Sequence, residues 1–191
     1  MSKNLYIISG CNGAGKTTAS FTVFPEILQC REFVNADEIA KGLSPFNPES
    51  VAIEAGRLML QRIDELLERD ETFSIETTLA TKSYINLVHR AQNKGYRVHL
   101  IFFWLETPEL AVQRVAERVS KGGHNIPTDV INRRYMAGIS NLFKFFMSNV
   151  DLWMIYDNSR SPREFIAKGG RSISTDIVSK NVFNKIKAYV R

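Results

Sequence analysis

Only two cysteines occur in 191 residues, too few for a disulfide framework, and Cys11 lies inside a glycine-rich segment, so the chain reads as reduced and cytoplasmic. Three histidines give little scope for zinc. Around His124 no cysteine or second histidine stands at ligand spacing, so a loop-shaping hydrogen bond is its expected role. Long apolar runs are missing as well. The longest, Val98 to Leu105, is interrupted by His99 and is less than half of the roughly 20 residues that a membrane helix needs. No leader precedes the first apolar run, and neither repeats nor low-complexity tracts divide the chain. One domain over residues 1–191 is therefore expected. Acid is scarce in the second half: the net charge is +5 overall, with 11 Lys+Arg against 12 Asp+Glu in residues 1–100 and 14 against 8 in residues 101–191. That asymmetry suits an anionic partner without selecting one.

What is present alternates strands with helices. Asn4 to Ser9 is a short β-prone run followed at once by a glycine-rich loop and a helix from Lys16, which Pro25 ends. A strand over Glu32 to Asn35 precedes a helix opened by Asn47-Pro48, whose Val51, Ala55, Leu58, Met59, Ile63, Leu66 and Leu67 recur at helical spacing. Then come a strand from Thr72 to Thr77 and a helix from Lys82 to Lys94 closed by Gly95. The next strand, Tyr96 to Leu105, ends in a continuous apolar run from Leu100 that implies burial on both faces at the sheet centre. Thr107-Pro108 starts a helix to Lys121, and a glycine-rich break leads to a helix from Pro127 to Asn149. In that last helix Leu142, Phe143, Phe145, Phe146 and Met147 form a core-facing stripe rather than a nucleic-acid stacking platform. A strand from Leu152 to Tyr156, a short strand or hairpin around Phe165 to Ser174, and a helix from Thr175 complete the chain. The expected fold is α/β, a three-layer arrangement with a mainly parallel five-stranded sheet and a helical lid.

Gly10-Cys11-Asn12-Gly13-Ala14-Gly15-Lys16-Thr17 matches the phosphate-binding pattern G-x-x-x-x-G-K-[ST] between a strand and a helix. Gly10, Asn12, Gly13, Ala14 and Gly15, with Lys16, Thr17 and Thr18, are the expected nucleotide contacts, since backbone N–H groups and a helix N-terminus converge on phosphate there. Lys16 suits the charge moving between β- and γ-oxygens, and the Thr17 hydroxyl suits Mg²⁺. The loop does not say what is done with the nucleotide. Neither N-K pair, Asn93-Lys94-Gly95-Tyr96 or Asn184-Lys185-Ile186-Lys187, has the Asp of a guanine site. L-S-G-G-Q is absent, and no apolar strand ends in paired acids. A small kinase remains.

Asp37 follows the second strand, expected next to the P-loop strand, and is assigned as the base that takes the acceptor proton. The competing role is an N-cap for Glu38 to Lys41. Glu76 ends the third strand, where a carboxylate needs a ligand hydroxyl, a metal water or a cation. With Thr78 it forms a candidate acceptor site, an internal salt bridge being the alternative. Arg114, Arg118, Lys121, Arg133 and Arg134 flank the Gly122-Gly123 break, and the segment 114–134 reads as a hinged lid. Arg118 and Arg134 are the preferred phosphate ligands, against surface salt bridges. Tyr156-Asp157-Asn158-Ser159 closes the fifth strand, and Asn158 there frames the adenine or forms a turn.

The order of GCNGAGKTT, FVNADEIA, SIETTLAT, RVAERVSKGGHNIPTDVINRRY and YDNS resembles the zeta toxin family of P-loop kinases from about residue 4 to residue 159. The resemblance implies that Lys16 and Thr17 hold ATP and Mg²⁺, that Asp37 deprotonates the acceptor, that Glu76 and Thr78 hold a sugar, and that lid arginines complete the site. It further implies a nucleotide-kinase-like fold, phosphorylation of a hydroxyl on a UDP-activated amino sugar, and neutralisation by an antitoxin. The first alternative is a nucleotide or polynucleotide kinase on the same scaffold; the second is a non-catalytic ATP-binding switch acting through a protein. Nucleic acid and membrane are disfavoured as partners.

Overall fold

The computed structural model of the chain describes residues 3–23, 30–123 and 125–190. Pro25 and His124 lie outside the described residues. The strands are β1 (Asn4–Gly10), β2 (Glu32–Val34), β3 (Phe73–Thr77), β4 (Arg97–Trp104), β5 (Leu152–Asp157), β6 (Glu164–Gly170) and β7 (Ile173–Ile177). The helices are α1 (Lys16–Val23), α2 (Ala36–Leu43), α3 (Ala52–Glu68), α4 (Tyr84–Asn93), α5 (Pro108–Ser120), α6 (Thr128–Asn141) and α7 (Lys180–Lys187). A 3₁₀ turn over Pro48–Val51 leads into α3. The long helix expected to Asn149 is α-helical only to Asn141 and continues as a π turn over Leu142–Phe146.

The described residues form a seven-stranded sheet in the order β2-β3-β1-β4-β5-β6-β7. This corrects the expected five. The first five strands are parallel, and the β6–β7 hairpin extends the β5 edge antiparallel. The expected hairpin runs to Ile177 and the last helix starts at Lys180; β7, the edge strand, is mostly exposed and so carries little apolar pattern. A second correction concerns adjacency. The β2 strand ladders onto β3, from Glu32↔Phe73 to Val34↔Ile75, while β3 itself lies against β1. The strand that ends in Glu76 is therefore the P-loop neighbour, and the one leading to Asp37 is one place further out.

At the centre of the order, β4 is apolar on both faces as expected: Val98, Leu100, Phe102 and Trp104 are buried, and so are Ile101 and Phe103. Leu5, Ile7 and Ile8 of β1 are fully enclosed beside it. Each such aliphatic side chain contributes about 1.5–3 kcal/mol on leaving water. Within the expected stripe after α6, Leu142 and Phe146 are buried, and Phe143, Phe145 and Met147 pack partly against the core.

Polar anchors hold the end of the sheet away from the P-loop. The Asp151 carboxylate accepts from Val98 N–H at 2.8 Å and from Gln92 at 3.1 Å, and pairs with Arg171 at 2.7 Å. Burial alone would raise its pKa, but these donors hold it below the usual carboxylate range. The His99 ring stacks on Tyr6 and lies 3.1 Å from Asn4 Oδ1; burial, helped by Arg97, pushes its pKa down. No described helix is long and apolar enough to cross a membrane.

Candidate functional site

The parallel ladder brings the C-terminal ends of β1, β2, β3, β4 and β5 to one edge, and the loops that leave this edge carry the expected site residues. Between β1 and α1 the chain turns through Gly10 at φ 139°, where a Cβ would overlap the Phe103 carbonyl of β4. At Gly15, φ is 77° and a Cβ would stand 2.7 Å from Asn158 Nδ2. L side chains do not fit either position. The N–H groups of the first turn of α1 have no intrahelical acceptor, so the loop presents donors at a helix N-terminus. The Cys11 thiol is buried beneath, and desolvation pushes it up to about 11, which keeps it protonated and unreactive at neutral pH.

Four side chains meet at the start of α1. Lys16 Nζ donates to the Cys11 carbonyl at 2.9 Å and lies 3.6 Å from Glu76 Oε1. Thr17 Oγ1 donates to Glu76 Oε2 at 2.8 Å. Asn35 Nδ2 donates to the same Oε2 at 2.9 Å. The Lys16 and Glu76 side chains are only 7% and 9% exposed, so each charge depends on the other and on these hydrogen bonds to offset its desolvation. The salt-bridge alternative for Glu76 and its place in the site are thus one arrangement: the acid of the neighbouring strand faces the P-loop lysine and threonine.

Asn35 was not among the residues expected at the site. It is the N-cap of α2, with its Oδ1 accepting from Asp37 N–H at 2.8 Å. The cap role weighed for Asp37 therefore belongs to Asn35, and Asp37 stands exposed in the first turn of α2. Asn followed by an acid at the start of an amphipathic run was the legible signal for it. Glu38 is half-buried and pairs with Lys41 at 2.6 Å.

Beyond Thr77, the last residue of β3, the chain turns. Leu79 takes φ 60°, fixed by its N–H on Thr77 Oγ1 at 3.0 Å and by Asn141 Nδ2 on its carbonyl at 2.8 Å. The Thr78 carbonyl packs on Gly138 of α6, 2.6 Å from where a Cβ would stand. The same helix sends Arg134 Nη1 to Asn12 Oδ1 of the P-loop at 3.4 Å, so α6 touches both the P-loop and the Glu76–Thr78 segment.

The other basic residues separate. Arg114 is half-buried and grips the end of β5, donating to the carbonyls of Asn158 at 2.8 Å and Ser159 at 2.9 Å. Asn158 in turn donates to the Ala14 carbonyl at 2.8 Å, which places its amide on the P-loop backbone. Arg118 and Arg133 are exposed, and the Arg118 side chain lies along Gly123. Thr18 is exposed one residue beyond Thr17. Among the described residues no group of three or more His, Cys, Asp or Glu side chains could hold a metal.

Comparison with known proteins gives the family and the fold. The sequence matches the zeta toxin family over residues 1–163. An uncharacterized protein of Haemophilus influenzae is 32% identical over 127 residues, 66% of this chain and 88% of that protein. Among solved structures, AvrRxo1-ORF1:AvrRxo1-ORF2 with sulphate ions superposes with a TM-score of 0.79 at 16% identity, over 97% of this chain and 63% of that chain. A structure from the PezAT chromosomal toxin-antitoxin system of Streptococcus pneumoniae gives 0.62 at 20% identity, over 84% of this chain and 70% of that chain. At these identities the structural likeness concerns the fold, and this chain spans less than two thirds of the AvrRxo1 chain.

Proposed function

The chain belongs to the zeta toxin family, and from that premise we propose that it is an ATP-dependent kinase. It transfers the γ-phosphoryl group to a hydroxyl of a UDP-activated amino sugar or a similar nucleotide-linked sugar. The observation that carries this reading is the Glu76 carboxylate, shared by Thr17, Asn35 and Lys16 at the end of the strand beside the P-loop.

The residues fit ATP and Mg²⁺. The glycine-built turn at the start of α1 suits a β-phosphate. The Thr17 hydroxyl and Glu76 carboxylate, 2.8 Å apart, are hard oxygen donors of the kind that hold Mg²⁺ together with phosphate and water. Bound there, ATP supplies the phosphoryl group and the metal neutralises the charge that develops on it.

The chain's own residues do the rest. Lys16 would hold β- and γ-phosphate oxygens, and Glu76 keeps its ammonium aligned. Two strand spacings of about 4.8 Å separate β2 from β1, so the α2 start carrying Asp37 stands about 10 Å from the P-loop strand. That gap is spanned by β3, and the γ-phosphoryl group and the acceptor hydroxyl would lie over its Glu76 end. Asp37, exposed at the gap's outer side, takes the proton as the oxygen attacks. Arg134, already at Asn12, covers the phosphates. The segment 114–134 closes over them with Arg118 at its outer end, and Glu76 with Thr78 borders the acceptor. An antitoxin is the protein partner that family membership supports.

The test is to incubate the chain with ATP, Mg²⁺ and a panel of UDP-sugars, nucleosides and oligonucleotides, and to read product masses. A UDP-sugar heavier by one phosphoryl group is the expected product. Phosphorylated nucleosides or oligonucleotides, or ATP hydrolysis responding only to a protein, would replace this reading. Asp37→Ala should still bind ATP while transfer falls by about 10²–10⁴-fold; equal turnover removes Asp37 from the mechanism.

A further inference from the structure

We infer that Asn35 is a positioning residue that locks the start of α2, and with it Asp37, onto the Lys16, Thr17 and Glu76 cluster. The inference rests on the kinase reading for its catalytic consequence, though not for its structural one. The β2 strand has no ladder to β1, and its pairing with β3 ends at Val34↔Ile75. Beyond that pair a buried side chain bonds the start of α2 to the end of β3. Asn35 is 6% exposed, and both ends of its amide are committed: Oδ1 accepts from Asp37 N–H at 2.8 Å and Nδ2 donates to Glu76 Oε2 at 2.9 Å. The orientation follows from the partners, since only the oxygen can meet an N–H and only the NH₂ can meet a carboxylate.

The residue type is selected by this double duty. An N-cap alone is served equally well by Ser, Thr or Asp. Asp would cap α2 but turn an acceptor toward Glu76, and two carboxylates at hydrogen-bond distance repel. Ser would cap α2, but its single short hydroxyl does not also reach Glu76. Asn accepts on one side and donates on the other at the required reach. The chain of bonds Asp37 N–H to Asn35 to Glu76 to Thr17 then makes the edge strand and the P-loop helix one rigid frame across β3. Rigid placement of reacting groups matters because a misplacement of about 1 Å can cost on the order of 100-fold in rate.

Thermal unfolding and steady-state kinetics on the full chain test this, with Mg²⁺-ATP and UDP-N-acetylglucosamine as the kinetic probes. Asn35→Asp keeps the cap and should lower the melting temperature by on the order of 5 °C. Adding Glu76→Gln to it restores an amide facing a carboxylate and should recover at least half of that loss, a non-additivity that a cap residue without the Glu76 contact would not produce. Asn35→Ser should lower kcat by about 10–100-fold while the KM for ATP stays within about 2-fold. Additive melting shifts, or wild-type kcat in Asn35→Ser, would overturn the inference. If the wild-type chain transfers nothing, the kinase reading fails by itself, and the melting cycle alone decides for or against Asn35.

Discussion

Replacing Glu76 with alanine removes the common partner of three groups at the start of α1. Thr17 Oγ1 and Asn35 Nδ2 lose an acceptor at 2.8 and 2.9 Å, and Lys16 Nζ loses the carboxylate 3.6 Å away. What remains for the ammonium is the Cys11 carbonyl at 2.9 Å, in a pocket where the lysine side chain is 7% exposed. A hydrogen bond to a charged acceptor contributes about 1.5–3 kcal/mol. Breaking one side of a buried ion pair costs about 3–5 kcal/mol in all, because the surviving charge stays desolvated. The contributions share one carboxylate and do not add, so about 3–5 kcal/mol is the expected total for Glu76→Ala. For a chain of this size each kcal/mol lowers the melting temperature by about 2–4 °C. A fall of about 10 °C is the central expectation.

Two companion variants make the reasoning testable. Glu76→Gln keeps the volume and an acceptor oxygen but not the charge, so its melting loss should be smaller than that of alanine while its turnover is lost. Lys16→Met removes the ammonium itself. Combined with Glu76→Ala it should melt higher than the sum of the two single losses predicts, since no uncompensated charge is left. The measurement is circular dichroism melting at neutral pH. Glu76→Ala melting within about 2 °C of the wild type, or strict additivity with Lys16→Met, would mean that the cluster holds nothing together, and the account of the site would fail with it.

Gly138→Ala should reverse the usual sign for a helix interior. Alanine normally favours a helix by about 1 kcal/mol over glycine, but here the new methyl meets the Thr78 carbonyl at 2.6 Å, so the melting temperature should drop and the KM for the acceptor rise; a higher melting temperature refutes the contact. Acid should unfold the chain in two stages. His99, whose pKa is lowered in the fold by burial, stays neutral while the unfolded chain takes up protons, so stability declines as pH falls from about 6.5 through the lowered native value. Asp151, whose carboxylate is held low despite burial by Val98 N–H, Gln92 and Arg171, then adds a loss below about pH 4. Urea midpoints against pH measure both stages, and a first stage that survives in His99→Gln rules out the histidine.

How far the site could be read beforehand depends on the distance over which its causes act. The P-loop is legible because its glycines, lysine and threonine are contiguous, and their order already encodes a turn and a helix start. Glu76 is legible because an acid at the end of an apolar strand demands a partner. Which partner was hidden, since the order β2-β3-β1 is fixed by crossovers over the sheet rather than by the three residues Glu32–Val34. What Asn158 and Arg114 hold was hidden too, because nothing local reveals that one props Ala14 from 144 positions away and the other grips the end of β5. Leu79 is the sharpest case. A branched apolar residue at φ 60° costs about 1–2 kcal/mol by its own preference, and no glycine or asparagine in Thr77-Thr78-Leu79-Ala80-Thr81 announces the turn. The conformation is imposed by Asn141, 62 positions along the chain, on the helix whose Arg134 reaches Asn12. One helix therefore fixes the exit of the strand that carries Glu76 and also contacts the phosphate loop. A displacement of α6 would alter both at once, which neither segment's sequence can convey alone.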